Sequence, residues 1–306
     1  MNQISVLKKG DTVVLVTPAK AIDVKYIDLA KALFESWGLR VDIGENSTGK
    51  YHYFSGSDEQ RLADLQWALD HTTAKAIITA RGGYGSVRIA PKVNFSKFKN
   101  NPKWFVGFSD ITVFHNLLHG QLGFPSIHAL APLYLDKLQE TDQSIITLRN
   151  ALFGVFLEYS LSVHALNRKG ESRGELVGGN LAVFSSLIGT SLDIDTTGKI
   201  LFLEEVSEYA YKLDRMIRTL HLAGKLEGLV GLVIGGLTDI KSCEETFGIP
   251  AEQIILDVVT EYDYPVLFDF PAGHQLDNRA LVLGCEYEMI VSETESSLKQ
   301  VAHGQA

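Results

Sequence analysis

The sequence predicts an α/β protein whose first half is a doubly wound, mostly parallel sheet. Two observations lead to this class. Apolar, β-branched runs such as residues 11–19 alternate with segments of helical periodicity as far as about residue 153. These runs are also too continuously apolar for a half-exposed sheet, as expected of central parallel strands that are covered on both faces.

In the first half, five strands and four longer helices are expected in alternation. Asp23 and Gly38 mark the two ends of the first helix. Residues 57–60, Ser-Asp-Glu-Gln, have the spacing of a capping box and open the second helix. The strands are predicted at 11–19, 39–44, 74–80, 104–108 and 125–131, and the helices at 23–37, 58–71, 111–118 and 142–153.

The alternation changes near residues 155–175, where a polar, flexible segment follows a short alternating strand. We therefore predict two domains, 1–160 and 161–306. Strands outweigh helices towards the end of the chain, which indicates a smaller, mixed, β-rich second domain. Its helices are predicted at 181–189, 211–224 and 251–262, and its main strands at 199–204, 229–237, 264–270, 279–285 and 287–291.

Composition limits the partners and the compartment. The 306 residues are 45% hydrophobic and 21% charged, as in ordinary soluble globular proteins. A net charge of −9 argues against nucleic acid or an anionic membrane as partner. No secretory signal is recognisable, and the longest apolar run, 229–237, is too short to span a bilayer. Cys243 and Cys285 are expected to be reduced thiols that form no metal site. A soluble, cytoplasmic protein of a size typical of an enzyme is expected.

Ser109 is the first candidate for chemistry. It follows the buried strand 104–108 and precedes a helix that begins near Ile111. A serine at a sharp strand-to-helix turn presents its hydroxyl to solvent beside free backbone N–H groups. Gly107 would let the backbone bend, but Ile111 replaces the second glycine of G-x-S-x-G. The alternative is that Ser109 only caps the helix, and this stretch alone favours that alternative.

The second candidate is the glycine-rich segment 81–85, Arg-Gly-Gly-Tyr-Gly, which follows the strand 74–80. It could be a phosphate cradle, an oxyanion hole built from backbone amides, or a tight turn. The dinucleotide spacing G-x-G-x-x-G is absent, and no acidic residue stands about 20 positions on. We favour the oxyanion hole, because loops that follow parallel strands meet at one edge of a sheet, where Ser109 is also expected.

A carboxylate and an imidazole complete the candidate set. Glu204 ends the apolar strand 199–204, and the next residue, Glu205, is interpreted as a solvated strand end. His274 follows a glycine just past a buried strand, which gives it the exposure that a general base needs. The order Ser109, Glu204, His274 fits a serine nucleophile, a carboxylate that orients the imidazole, and a base.

Five segments together resemble one known family. They are GFSDIT around Ser109, ARGGYG at 80–85, GELVGGNLAVFSSLIGT at 174–190, LFLEEVSEYAYKLDRMIRTL at 201–220 and FPAGHQLDNRALVLG at 270–284. In this order, and over essentially the whole chain, they resemble the LD-carboxypeptidase family of serine peptidases (family S66). That family includes murein tetrapeptide carboxypeptidases and microcin C immunity peptidases.

The resemblance implies a flavodoxin-like N-terminal domain, a smaller swivelling C-terminal domain and a Ser–Glu–His triad across the cleft. It favours Glu204 over Glu205 as the triad carboxylate. The oxyanion donors would be the amides of Gly83 and Asp110. Substrate contacts would come from Gly82, Tyr84, Gly179 and Asn180, and the protein would be a homodimer without cofactor. One departure is His128-Ala-Leu-Ala-Pro132, where many members carry His-Gly-Pro.

The expected activity is hydrolysis of the L,D bond that releases terminal D-alanine from murein tetrapeptides during cell-wall recycling. Ser109 and Glu204 are 95 residues apart, which leaves little room for the extra loops of the microcin-immunity branch. Hydrolysis of a peptidyl-nucleotide is the alternative activity. A module that binds a nucleotide or sugar without catalysis is the alternative of a different class.

Overall fold

The structure, a computed structural model, describes residues 4–242 and 246–301 and contains two β-sheets. The chain alternates strands and helices through its first half, as predicted. These elements are β1 Thr12–Val16, α1 Val24–Ser36, β2 Arg40–Ile43, α2 Asp58–Asp70, β3 Ala74–Thr79, α3 Ser86–Ile89, α4 Ser96–Asn100, β4 Trp104–Gly107, α5 Thr112–Leu117, β5 Ser126–His128 and α6 Gln143–Leu152.

The second half supplies most of the other sheet. Its elements are β6 Glu158–Leu161, β7 Gly170–Asn180, α7 Leu181–Ser186, β8 Lys199–Val206, α8 Ala210–Leu222, β9 Gly231–Thr238, α9 Ala251–Val259, β10 Val266–Leu267, β11 Leu281–Leu283, β12 Glu286–Val291 and β13 Ser296–Gln300.

The first sheet has six strands in the order β11-β5-β4-β3-β1-β2. All its pairings are parallel except that of β11 with β5. The strand β1 is fully buried, and helices cover the sheet, which is the doubly wound α/β arrangement that was predicted. Because β1, β3 and β4 are parallel, the loops after them meet at one edge, and residues 81–85 and Ser109 follow β3 and β4 there.

The second sheet has seven strands in the order β10-β9-β8-β7-β12-β13-β6. Strands β7 to β10 are parallel, and β12, β13 and β6 are antiparallel to their neighbours. The sheet is thus mixed, as expected from the sequence. A core on one of its faces lies beneath α8 and α9 and includes Leu213, Ile217 and Ile255. Its other face joins the core of the first sheet through Phe202, Phe270 and Tyr287.

Two strands belong to a different sheet from the one expected from their position in the sequence. The strand β6 begins before residue 160 but belongs to the second sheet, and β11 comes from the second half but extends the first sheet. Leu281 pairs with His128 there, and Leu283 with Ser126. The loop that carries His274 therefore runs from β10 in the second sheet to β11 in the first. The division at residue 160 stays a prediction.

Several predicted bounds differ from the observed ones. The strand predicted at 264–270 is hydrogen bonded as a strand only at Val266–Leu267, and Asp269 has a left-handed φ of +59° that a regular strand does not adopt. Ser109 opens a short 3₁₀ turn before α5, and a π-helical turn, Leu118–Leu122, follows α5.

The described residues include no helix that is long and apolar enough to cross a membrane. Within the same ranges, no three His, Cys, Asp or Glu side chains are grouped so as to hold a metal ion. Cys285 is a buried free thiol, and Cys243 lies outside the described residues.

Candidate active site

Ser109 lies at a strained turn after β4. Its φ is +64°, in the left-handed region that residues other than glycine rarely adopt. The preceding Gly107 has another role than the predicted bend, because a Cβ on Gly107 would lie 2.1 Å from Thr79 Oγ1 and 2.9 Å from Ile111 Cγ1. Glycine is thus required there for close packing. Ser109 is the first residue of the short turn Ser109–Ile111, and its hydroxyl lies 3.0 Å from His274 Nε2 instead of capping the helix, so the cap interpretation is wrong.

The structure brings together Ser109 after β4, Glu204 near the end of β8 and His274 on the loop between β10 and β11. Ser109 Oγ is 3.0 Å from His274 Nε2, and His274 Nδ1 is 2.8 Å from Glu204 Oε2. Glu204 is completely buried at the end of β8, whereas the His274 side chain keeps 14% of its surface exposed. Phe108 packs on the imidazole with ring centroids 4.8 Å apart. A hydroxyl, an imidazole and a carboxylate in this order can activate the hydroxyl as a nucleophile.

The electrostatics of His274 result from two opposing effects. Burial lowers the pKa of the imidazole, but the charge of the Glu204 carboxylate and its hydrogen bond act in the opposite direction, and in the net result the pKa of His274 is raised. Glu205 adds a smaller effect in the same direction. The result is an imidazolium that is stabilised, as is needed by a base that holds a proton for part of a reaction.

The glycine-rich segment packs directly against the Ser109 turn. A Cβ on Gly82 would lie 3.0 Å from Ser109 Cβ and 3.2 Å from the backbone nitrogen of Asp110. Asp110 is buried, and its side chain accepts a hydrogen bond of 2.8 Å from the amide of Ser86 at the start of α3. Burial raises the pKa of Asp110. These contacts fix the loop of Gly83, whose φ is +105°, beside the amide of Asp110.

Glu205 is not the solvated strand end that the sequence suggested. It is 2% exposed, and side chains alternate along a strand, so it faces away from Glu204. Its carboxylate accepts hydrogen bonds from the amides of Ala182 (2.7 Å) and Val206 (2.8 Å) and from Asn180 Nδ2 (3.2 Å). Burial raises the pKa of Glu205 to about 7. Glu205 therefore stabilises the start of α7.

Gly179 and Asn180 connect this carboxylate to the helix that follows Ser109. The amide of Asn180 donates to Thr112 Oγ1 at 3.0 Å, and a Cβ on Gly179 would lie 2.4 Å from the same oxygen. Asn180 Oδ1 also accepts from the amide of Val183 and so caps α7. This turn of the second sheet is thus packed onto α5 of the first.

A cavity of about 130 Å³ opens beside Ser109. Of the predicted substrate and oxyanion residues, Gly82 and Gly83 line it, whereas Tyr84, Asp110, Gly179 and Asn180 do not. Tyr84 is 49% exposed and lies near Phe54, with ring centroids 6.2 Å apart. The complete lining is Arg81, Gly82, Gly83, Phe108, Ser109, Ala131, Leu133, Tyr134 and His274.

Two polar side chains of this lining, Arg81 and Tyr134, were not among the substrate residues predicted from the sequence, although Arg81 begins the segment 81–85. Arg81 could have been found, since it is a charged residue directly after a buried strand, like Glu204. Tyr134 follows β5 in a short 3₁₀ turn, and no sequence pattern points to it.

Three histidines near Ser109 face the core. His115 Nε2 is 3.0 Å from the Gly107 carbonyl oxygen, and burial lowers the pKa of His115 to about 4. Burial also lowers the pKa of His119 to about 3. His128 is fully buried between Phe108 and Phe202, and burial holds its pKa well below the ordinary value. These surroundings fit a structural role for His115 and His119.

In a comparison with known proteins, both halves of the chain match domains of one family. The LD-carboxypeptidase N-terminal domain matches residues 13–129, and the LD-carboxypeptidase C-terminal domain matches residues 173–289. A probable murein peptide carboxypeptidase of Bacillus subtilis is 33% identical over 94% of this chain and 91% of the relative. The murein tetrapeptide carboxypeptidase of Pseudomonas aeruginosa is 30% identical over 89% of this chain and 91% of the relative.

Solved structures share the fold. The muramoyltetrapeptide carboxypeptidase of Oxalobacter formigenes superimposes with a TM-score of 0.87 at 23% identity, over 96% of this chain and all of that one. The microcin C7 self immunity protein MccF, in complex with adenosine monophosphate, also gives 0.87, at 16% identity over 98% of this chain and 99% of that one. At these identities the likeness concerns the fold alone. On the sequence matches, the chain belongs to the LD-carboxypeptidase family of serine peptidases, family S66.

Proposed function

We propose that this protein is a serine carboxypeptidase that hydrolyses the L,D bond before the terminal D-alanine of murein tetrapeptides. One observation carries the proposal: Ser109 Oγ lies 3.0 Å from His274 Nε2, whose Nδ1 lies 2.8 Å from the buried carboxylate of Glu204. The names of the Bacillus and Pseudomonas relatives, murein peptide and murein tetrapeptide carboxypeptidase, support the substrate class.

In the proposed reaction, His274 Nε2 takes the hydroxyl proton while Ser109 Oγ attacks the carbonyl carbon of the diamino acid residue. Glu204 holds the Nδ1 proton and stabilises the imidazolium. The tetrahedral oxyanion would accept hydrogen bonds from the amides of Gly83 and Asp110. His274 then returns the proton to the nitrogen of the leaving D-alanine. Water, activated by the same imidazole, hydrolyses the acyl-enzyme and restores Ser109.

The test is release of D-alanine from L-Ala-D-Glu-meso-diaminopimelate-D-Ala by the purified protein and by Ser109→Ala. Loss of the nucleophile is expected to lower kcat by roughly 10⁴–10⁶-fold. Ser186→Ala is the matched control, since the exposed Ser186 hydroxyl donates only to the carbonyl of Val183 in its own helix. Unchanged D-alanine release by Ser109→Ala would refute the assignment of the nucleophile.

Two alternatives are separated by parallel measurements. A peptidyl-nucleotide peptidase would turn over an aminoacyl sulfamoyl-type or peptidyl-adenylate substrate faster than the tetrapeptide. A binding module without catalysis would bind a nucleotide in calorimetry and leave Ser109 unlabelled by a fluorophosphonate probe. We expect labelling at Ser109 that disappears in Ser109→Ala.

The proposal extends to the setting of the reaction. Recycling of cell-wall peptides in the cytoplasm, and a homodimeric state, are implied by the family resemblance and belong to the proposal. Sedimentation of the purified chain at several concentrations tests the homodimer, independently of any activity.

A further inference from the structure

Arg81 carries a positive charge that no carboxylate of the described residues neutralises by contact. It is partly buried after β3, and its Nη1 donates to the carbonyl oxygen of Ala21 at 3.1 Å. None of the ion pairs within residues 4–242 and 246–301 includes it. By contrast, the other two arginines near this edge are paired, Arg61 and Arg88 both with Asp58. Arg81 therefore retains donors for a ligand.

The positive charge of Arg81 lies at the cavity beside Ser109. Arg81 lines the cavity of about 130 Å³ together with Ser109 and His274. The remaining wall is mostly apolar and includes Phe108, Ala131 and Leu133. Besides the imidazole, Arg81 is the one basic side chain that lines it within the described residues. The space is thus small, has one permanent cation, and lies beside the hydroxyl proposed as nucleophile.

The other nearby cation is held elsewhere. Lys20 lines a different, larger cavity of about 610 Å³, and its ammonium lies 4.8 Å from the ring centroid of Tyr53. The loop of Gly83 lies against Lys20, since a Cβ on Gly83 would be 2.7 Å from Lys20 Cβ. Arg81 is therefore better placed than Lys20 to act in the cavity beside Ser109.

A carboxypeptidase must bind the residue after the cleaved bond by a group that only a chain end has. For a terminal D-alanine, that group is the α-carboxylate, and the rest of the residue is one methyl group. Moving a carboxylate into a partly apolar cavity is unfavourable unless a cation and hydrogen-bond donors meet it. A guanidinium is suited to this because it can donate two parallel hydrogen bonds to one carboxylate.

We propose that Arg81 binds the terminal carboxylate of the D-alanine leaving group and so restricts this enzyme to chain ends. The assignment rests on the function proposed above and adds the residue that distinguishes a terminal from an internal bond. Arg81 is then a specificity-determining residue that contacts substrate without taking part in proton transfer. The apolar residues of the cavity would accept the methyl group.

The experiment compares the tetrapeptide with its C-terminal amide, L-Ala-D-Glu-meso-diaminopimelate-D-Ala-NH₂. The wild-type protein should prefer the free acid in kcat/KM, and Arg81→Gln should reduce this preference by about 10- to 100-fold, as expected for loss of a charge-assisted hydrogen bond. The change should come mainly from the acid, whose KM rises, while the amide is cleaved nearly as before. Arg81→Lys should restore part of the preference, because it keeps the charge and loses the paired donors.

Arg88→Gln is the matched control, since Arg88 pairs with Asp58 at 2.8 Å and lies outside the cavity. It should leave the preference unchanged. The ratio of the two substrates is measured on one preparation, so a partly misfolded variant does not alter it. If the wild-type protein releases D-alanine and Arg81→Gln keeps the full preference, the inference about Arg81 is wrong and the proposed function stands. If the wild-type protein releases none from either peptide, the proposed function itself is wrong, and the inference falls with it.

Discussion

The ends of β4 and β8 both contribute to the candidate site, and they hold their side chains in different ways. At the end of β4, the backbone itself positions Ser109, through a left-handed φ of +64°. At the end of β8, the alternation of side chains along the strand turns Glu204 and Glu205 to opposite faces. Glu204, which is 0% exposed, meets His274, and Glu205, which is 2% exposed, meets Asn180 and the start of α7.

The difference is between a side chain that is positioned by its local backbone and side chains that are positioned by contacts with residues distant in sequence. The position of Ser109 depends on a few neighbouring residues, so a change there should alter chemistry with little effect on the rest of the chain. The two glutamates depend on partners that are distant in sequence, and burial of a carboxylate without such partners is unfavourable. Changes at β8 should therefore affect stability and activity together. Four variants test this contrast.

The largest effect on activity is expected for Ser109→Gly. Loss of the hydroxyl should lower kcat by roughly 10⁴–10⁶-fold, as in Ser109→Ala. Glycine, however, adopts a positive φ without strain, so Ser109→Gly should be about 1 kcal/mol more stable than Ser109→Ala. Urea unfolding of both variants measures the difference. Equal stabilities would mean that the turn at Ser109 is not strained.

Glu204→Gln should come next. An amide cannot hold the imidazole in the required tautomer or stabilise its charge, so kcat should fall by about 10⁴-fold. The pH profile gives a second readout. Glu204 raises the pKa of His274 above its ordinary 6.5, so kcat/KM of the wild-type protein should fall as the pH drops through a value above 6.5. In Glu204→Gln this limb should move to lower pH. An unmoved limb would contradict the contact between the two side chains.

Glu205→Gln is expected to lower kcat/KM only about tenfold, because Glu205 acts through Asn180 and α7 and does not contact the reacting atoms. The larger effect of Glu205→Gln is expected on the stability of the fold. The pKa of Glu205 in the folded protein is about 7, raised from 4.5. The folded state therefore binds more protons than the unfolded state between these values, and stability falls as the pH rises from 4.5 to 7.

The size of this effect is about 3 kcal/mol, since each unit of pKa shift corresponds to about 1.4 kcal/mol. Glutamine does not titrate, so Glu205→Gln should lack this part of the pH dependence. Thermal unfolding of both proteins at a series of pH values between 4.5 and 7 tests it. A stability difference that is constant over this range would show that Glu205 titrates normally.

The smallest effect is expected for Thr112→Val, which keeps the shape of the side chain and removes the oxygen that accepts from the amide of Asn180. The buried amide would lose its partner, at a cost of roughly 1–3 kcal/mol in the free energy of unfolding. Activity should fall only a few-fold, because Ser109 itself keeps its backbone geometry. A loss of activity as large as that of Glu204→Gln would mean that this contact positions the nucleophile directly.

The parts of the site that the sequence predicted are those that follow buried strands. Ser109, Glu204, His274 and the segment 81–85 each come just after an apolar run, and parallel strands bring such positions to one edge. The alternation of the first half was visible for a related reason, since its central strands β1 and β3 are largely apolar and buried. These features depend on patterns within about ten residues.

The features that were missed depend on contacts between distant residues. Glu205 looked solvated because its partners, Asn180 and Ala182, lie in another strand-to-helix junction. Glycine is required at position 107 because the side chain of the neighbouring Thr79 leaves no room for a Cβ, and no local sequence pattern indicates this contact. The strand β11 has only three residues, too few for a periodicity, and its place in the first sheet follows from its pairing with β5.

That pairing has a consequence for how the chain folds during synthesis. The first sheet presents the open edge of β5 until residues 281–283, which come long after β5 in the sequence, are available to cover it. An exposed strand edge can pair with other chains. The nascent first half should thus carry a hazard of association until residues 281–283 have been synthesised. The same late step fixes the second end of the His274 loop, whose first end follows β10 in the second sheet, so the site becomes complete only when the first sheet is closed.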